Sequence, residues 1–194
     1  MTTKRARKAP TLHSLIRSQG TYVILLRMAR FRSLHIGKLG IFNFKPGSYL
    51  YVGSAQGKTS TSLGYRLARH ESPTKLQRWH IDYLLGVSEV LAFHLIISSK
   101  RMECFIAKRL SISIPRQYKG FGASDCRQKC GTHLFPASEK KLVSIMHELD
   151  YAIEMEGKTD KGTKLVKWKE IEKKATKNGR GEGGSPKKAR SSLL

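Results

Sequence analysis

Acidic residues are scarce in this chain: 14 Asp and Glu stand against 37 Lys and Arg, a formal net charge of +23 over 194 residues. A surplus of that size makes the compact state repel itself, so a polyanionic partner is the natural explanation. Nucleic acid leads, an anionic membrane surface follows, and a merely soluble basic protein is the bland alternative. Long hydrophobic runs are missing too. Stretches such as residues 22–26 fall far short of the roughly 20 apolar residues of a membrane helix, and no membrane-embedded role is expected. Cysteine is limited to three, an odd number that does not make a secreted disulfide framework. Lys4, Arg5, Arg7 and Lys8 are followed by no apolar stretch of signal length. A reducing, cytoplasmic setting is expected, with nucleoid association in a bacterial or archaeal cell.

The charge is spread unevenly. Residues 1–19 hold five basic and no acidic residues, and residues 157–194 hold twelve basic and four acidic ones. The stretch between them still carries 20 basic against 10 acidic residues, so the body is basic in its own right. The length fits one domain with appendages. We read 1–18 as a flexible basic arm, 19–156 as the domain, and 157–194 as a basic, largely disordered tail.

Residues 21–27 are rich in β-branched and aromatic side chains behind Gly20 and predict a buried strand. Residues 35–44 alternate around Gly37 and Gly40 and predict a hairpin, and a strand over 48–54 follows the Pro46-Gly47 turn. A helix is predicted over 61–71, capped by Thr61 or Ser62. Leu63 and Leu67 form its buried side, with Arg66, Arg69 and His70 on a different face. Further helices are expected over 75–85, 101–111 and 138–156, a strand over 90–98, and a glycine- and cysteine-containing loop over 120–130. Residues 165–175 have some helical character. The class is mixed α/β: a small, mainly antiparallel sheet flanked by helices.

Gly20-Thr21-Tyr22 and, on a later strand, Tyr51-Val52-Gly53 resemble the two halves of the GIY-YIG nuclease signature. Downstream, Arg66 matches the arginine that follows the second half in that family. Glu103, in the first turn of a later helix, matches its metal-binding glutamate. Further matching stretches are residues 47–55, 66–70, 79–85 and 120–126. Together they cover about residues 20–135 and resemble a branch of the superfamily sometimes fused to a DNA-repair endonuclease, endonuclease III. The spacing from Tyr22 to Tyr51 is longer than in typical GIY-YIG nucleases, as an inserted hairpin requires.

The resemblance implies a metal-dependent endonuclease. Phosphodiester cleavage needs an activated water, neutralisation of the phosphate and help for the leaving oxygen. Glu103 would hold one magnesium or manganese ion through a hard carboxylate. Tyr22 would be the general base if neighbouring cations favour its phenolate, with Tyr51 positioning the water. Arg66 would fork onto the phosphate, Arg69 and His70 would bind or protonate the departing strand, and Gly53 would let backbone approach closely. DNA is favoured over RNA as substrate. Lys4, Arg5, Arg7, Lys8, Lys187, Lys188 and Arg190 would add phosphate contacts that read no sequence.

Cys126, Cys130 and His133 form a second cluster. Its first reading is two small cysteines in a glycine-rich turn. Its second is a zinc-type site completed by Asp125 or His80. Cys104 reads as a packed thiol, and His80 and Asp82 as core or supporting groups. A binding module on the same scaffold that does not cut, or an RNA- or ribosome-associated protein, is the alternative to the nuclease.

Overall fold

The computed structural model describes residues 15–157 and 164–166. Its centre is a five-stranded antiparallel sheet in the order β6-β4-β1-β5-β7. The strands are β1 (Gly20–Met28), β4 (Gly47–Ala55), β5 (Glu89–Ile97), β6 (Leu134–Ala137) and β7 (Lys164–Val166). Strands β2 (Arg32–His35) and β3 (Ile41–Phe44) make a separate hairpin inserted between β1 and β4. The helices are α1 (Leu63–Glu71), α2 (His80–Leu85), α3 (Glu103–Ser113) and α4 (Glu139–Gly157). This is the mixed α/β class with a mainly antiparallel sheet that the sequence predicts. Among the described residues no helix is long and apolar enough to cross a membrane.

β1 is central and covered on both faces, which explains its unbroken apolar run. Tyr22, Ile24, Leu26 and Met28 point into one core with Tyr49 and Tyr51 of β4, Leu63 and Leu67 of α1, and Ile81 and Leu84 of α2. Val23 and Leu25 point into a second core with Leu50, Val52, Ile106 and Leu110 of α3, and Ile145, Leu149 and Ile153 of α4. The alternation along the strand thus assigns α1 and α2 to one face and α3 and α4 to the other.

Several expectations are corrected. Ser62 occupies the N-cap position of α1, but its hydroxyl donates to the Ile16 carbonyl and makes no cap. The Leu63 amide is satisfied by the Ser18 carbonyl instead, at 2.8 Å. Residues 15–18, read with the arm, therefore lie against α1, where Leu15 is buried. The helix expected over 75–85 begins only at His80. Lys75 donates to the carbonyls of His70 and Ser72 at the end of α1, where a cation is favoured. Asp82 accepts from the amides of Arg78 and Trp79, both at 2.9 Å, and so fixes where α2 starts. β6 is an edge strand carrying Pro136, and residues 165–166 belong to β7 rather than to a helix.

Candidate active site and cysteine cluster

β1 and β4 pair so that Tyr22 faces Gly53 and Ile24 faces Tyr51. A Cβ at Gly53 would fall within 2.6 Å of three atoms of the Tyr22 side chain. Gly53 therefore makes room for a buried phenol, a tighter demand than the backbone access first expected of it. The Tyr22 hydroxyl lies 2.7 Å from His70 Nε2.

His70 is 2% exposed and sits on the buried side of α1 with Leu63 and Leu67. Seven residues are two helical turns, so residues 63, 67 and 70 share one face, which corrects its expected place beside Arg66 and Arg69. Burial pushes the His70 imidazole down to about 4; Arg69, Arg66 and Lys75 push the same way, and Asp82 opposes them. His70 is therefore neutral at neutral pH, and in the tautomer that carries its proton on Nδ1 its Nε2 accepts from the Tyr22 hydroxyl.

That shift has a consequence for stability. Between the unfolded value near 6.5 and the folded value of about 4, the unfolded chain binds the extra proton, so stability falls as the pH drops through this window. From pH 7 to pH 5 the loss from this one group is about 2 kcal/mol. Urea titrations at the two pH values check it, and His70→Gln should remove that share of the pH dependence.

Tyr22 is 1% exposed and Tyr51 8%. Burial pushes Tyr22 up to about 12, while the neighbouring Arg66 guanidinium works against the rise. Tyr51 is raised well above the usual tyrosine value, again by burial first, then by Tyr22 and Glu103. The phenolate expected from nearby cations is thus not the resting form of Tyr22. Arg66 lies with its guanidinium 4.5 Å over the Trp79 ring, and its Nε is buried without a hydrogen-bond partner.

Arg69 is committed elsewhere. It holds the buried Asp82 carboxylate through both terminal nitrogens, at 2.7 and 2.9 Å, and stacks on Trp79 at 4.0 Å. Burial alone would raise Asp82, but the bonds from Arg69, Trp79 and Arg78 outweigh it and hold the carboxyl below its usual value. The pair braces α1 against α2, with the Arg69 side chain a quarter exposed.

Glu103 opens α3, where the Met102 amide donates to Thr21 Oγ1 at 3.2 Å and so pins the helix start beside Tyr22. Its Oε2 accepts from Ser54 Oγ at 3.0 Å, and its Oε1 lies 3.2 Å from His133 Nδ1. The Glu103 charge reaches both tyrosines, as does that of Arg66. Tyr22, Tyr51, Arg66, His70 and Glu103 thus converge on one end of the sheet. Lys4, Arg5, Arg7, Lys8, Lys187, Lys188 and Arg190 lie outside the described residues.

Beyond Glu103, His133 leads to the cysteines. Ligand atoms of Cys104, Cys126, Cys130 and His133 all lie within 4.8 Å of one another. Cys104, read as a packed thiol, is the fourth member in place of Asp125 or His80. His80 is occupied otherwise: its Nδ1 accepts from the Gly122 amide at 3.0 Å, and its ring packs on Phe121. Burial works to raise the Cys126 thiol, but hydrogen bonds from Cys130 and Cys104 outweigh it and bring it to about 7. The sequence signal for Cys104 was its place next to Glu103 at a helix start. Spacing could not show that the distant loop folds back onto it.

Comparison with known proteins returns one family. No curated protein and no solved structure matches the chain. The family model for the domain of unknown function DUF123 matches residues 21–154, a span that takes in the whole tyrosine site and all four members of the cysteine–histidine cluster. The chain belongs to the DUF123 family.

Proposed function

We propose that this chain is a divalent-metal-dependent, GIY-YIG-type endonuclease that hydrolyses DNA phosphodiesters in the cytoplasm or nucleoid. The observation that carries the reading is convergence. Glu103 is bonded to Ser54, next to Gly53 on the strand that carries Tyr51, and the Met102 amide before it is bonded to Thr21, next to Tyr22. Arg66 stacks on the Trp79 ring that also meets His70, the partner of Tyr22. Residues scattered over some 80 positions have no structural need to converge.

The surroundings divide the work. Glu103 is half-buried and offers hard carboxylate oxygens, a donor set that suits magnesium or manganese with water and phosphate as the remaining ligands. When bound, that ion supplies charge neutralisation on the phosphate and a more acidic water. Arg66 offers planar donors to a phosphate. Tyr22 takes a proton from the attacking water as its own hydroxyl proton passes to His70 Nε2, so no free phenolate is required. The negative charge of a bound phosphodiester raises His70 and favours that transfer. Tyr51, beside Tyr22, positions the water.

A second reading, a DNA- or RNA-binding module on the same fold that does not cut, draws on the burial of Tyr22 and Tyr51. The basic body supports binding under either reading. The test compares wild type with Tyr22→Phe on linear, nicked and branched DNA and a structured RNA, in magnesium or manganese. Tyr22→Phe is expected to cut at least one DNA on the order of a hundredfold more slowly. Equal rates for the two proteins would remove Tyr22 from the chemistry.

A further inference from the structure

The segment between Ile114, which caps α3, and Leu134, which opens β6, contains no helix or strand. Loops longer than about 12–15 residues without secondary structure are uncommon inside compact domains and need something to hold them. Tyr118 and Phe121 anchor its first part in the aromatic core. Its second part holds Cys126, Cys130 and His133, which close around Cys104 at the first turn of α3.

Four ligand atoms within 4.8 Å of one another are close enough to share one ion. Cys104 Sγ lies 3.4 Å from Cys126 Sγ, well beyond the about 2.05 Å of a disulfide. It is near the roughly 3.8 Å edge of a tetrahedron built on Zn–S bonds of about 2.3 Å. Cys130 and His133 are buried and Cys126 is half-buried, so the site is largely closed to water. His133 Nε2 is buried and meets no oxygen or nitrogen partner, an orphaned state that a ligand would relieve. Its Nδ1 faces Glu103, the carboxylate–histidine pairing that orients a metal-bound imidazole. Three thiols and one imidazole form a soft donor set that selects zinc over magnesium, and four protein ligands leave no open position for a substrate.

We propose that Cys104, Cys126, Cys130 and His133 bind one structural zinc ion that ties the loop to the start of α3. Held there, the zinc also fixes Glu103, the residue next to Cys104, and that role rests on the nuclease reading above. The site itself does not. Zinc content and strand cleavage are measured separately, so failure of one leaves the other standing.

The experiment is metal analysis of the full chain expressed in zinc-supplemented medium, beside Cys126→Ser and Cys104→Ser. Wild type is expected to retain one zinc per chain through dialysis. Its cobalt-exchanged form should show the thiolate charge-transfer and intense visible bands of a tetrahedral centre. Its three thiols should resist a thiol reagent until a strong chelator is added. Both serine variants should lose most of the zinc; Cys126, only half-buried, is the substitution that the fold tolerates best. Four results would overturn the proposal: wild type without zinc, iron in its place, a Cys104–Cys126 disulfide in the purified protein, or full zinc retention by Cys126→Ser. Because wild type alone supplies the first three, a misfolded variant does not shelter the idea.

Discussion

Glu103→Ala is expected to slow magnesium-dependent strand cleavage on the order of a thousandfold while leaving DNA affinity unchanged or slightly tighter. The substitution removes the only carboxylate argued to hold the ion. It also deletes a negative charge from a site meant for phosphate, so binding has no reason to weaken. The helix start survives it, because the Met102 amide remains on Thr21 Oγ1 and α3 keeps its apolar face of Ile106, Ala107 and Leu110. Single-turnover rates with protein in excess, beside DNA retention at the same ionic strength, separate the two effects. Equal cleavage by Glu103→Ala would mean that no ion acts through this residue. A parallel loss of binding and of thermal stability would make Glu103 a structural partner of Ser54 and His133 instead.

Gly53→Ala is expected to destabilise the fold by about 3 kcal/mol or more and to disable the site with it. The added methyl would meet the Tyr22 ring across the β1–β4 pair, closer than real Cβ contacts come. The ring has nowhere to go: it is fully buried between the strand and α1, and its hydroxyl is tied to His70. Overpacking of this kind costs about 1–3 kcal/mol, and a displaced Tyr22 adds the loss of a buried hydrogen bond, roughly another 1 kcal/mol. Gly86→Ala is the control. Gly86 has helical backbone angles and a Cβ there would meet nothing nearer than 3.7 Å, so stability should hold. Urea midpoints at constant m-value report both. An isostable Gly53→Ala would show that Tyr22 can shift, and that the cleft is looser than its burial implies.

What the sequence revealed and what it hid follow from the same physics. β1 and β4 were legible because strands buried on both faces are long apolar runs between glycine and proline signals. β6 and β7 were not: they are four and three residues long, sit at the sheet edges, and have too little pattern to show a period of two. The start of α2 was misplaced because Asp82, Lys75 and Arg69 redirect the backbone before Trp79 through side-chain bonds.

At the site, Tyr22, Tyr51, Arg66 and Glu103 were readable by type and order. The partnership of Tyr22 with His70 was hidden because a histidine was assigned to a polar face by its chemistry rather than by its position two turns from Leu63. The ion pair of Arg69 with Asp82 was hidden because the two lie 13 residues apart on different helices. Cys104 became a cluster member only through a loop whose path no periodicity describes.

Strand scission by the unmodified chain tests the central claim most directly. Wild-type protein in molar excess is incubated with end-labelled branched, nicked and linear DNA in magnesium, and in parallel with a chelator of divalent ions. The account predicts discrete shortened strands from at least one substrate in magnesium and none in the chelator. Intact strands on every substrate in magnesium and in manganese, from protein that still binds them, would contradict it and leave a nucleic-acid-binding module that does not cut.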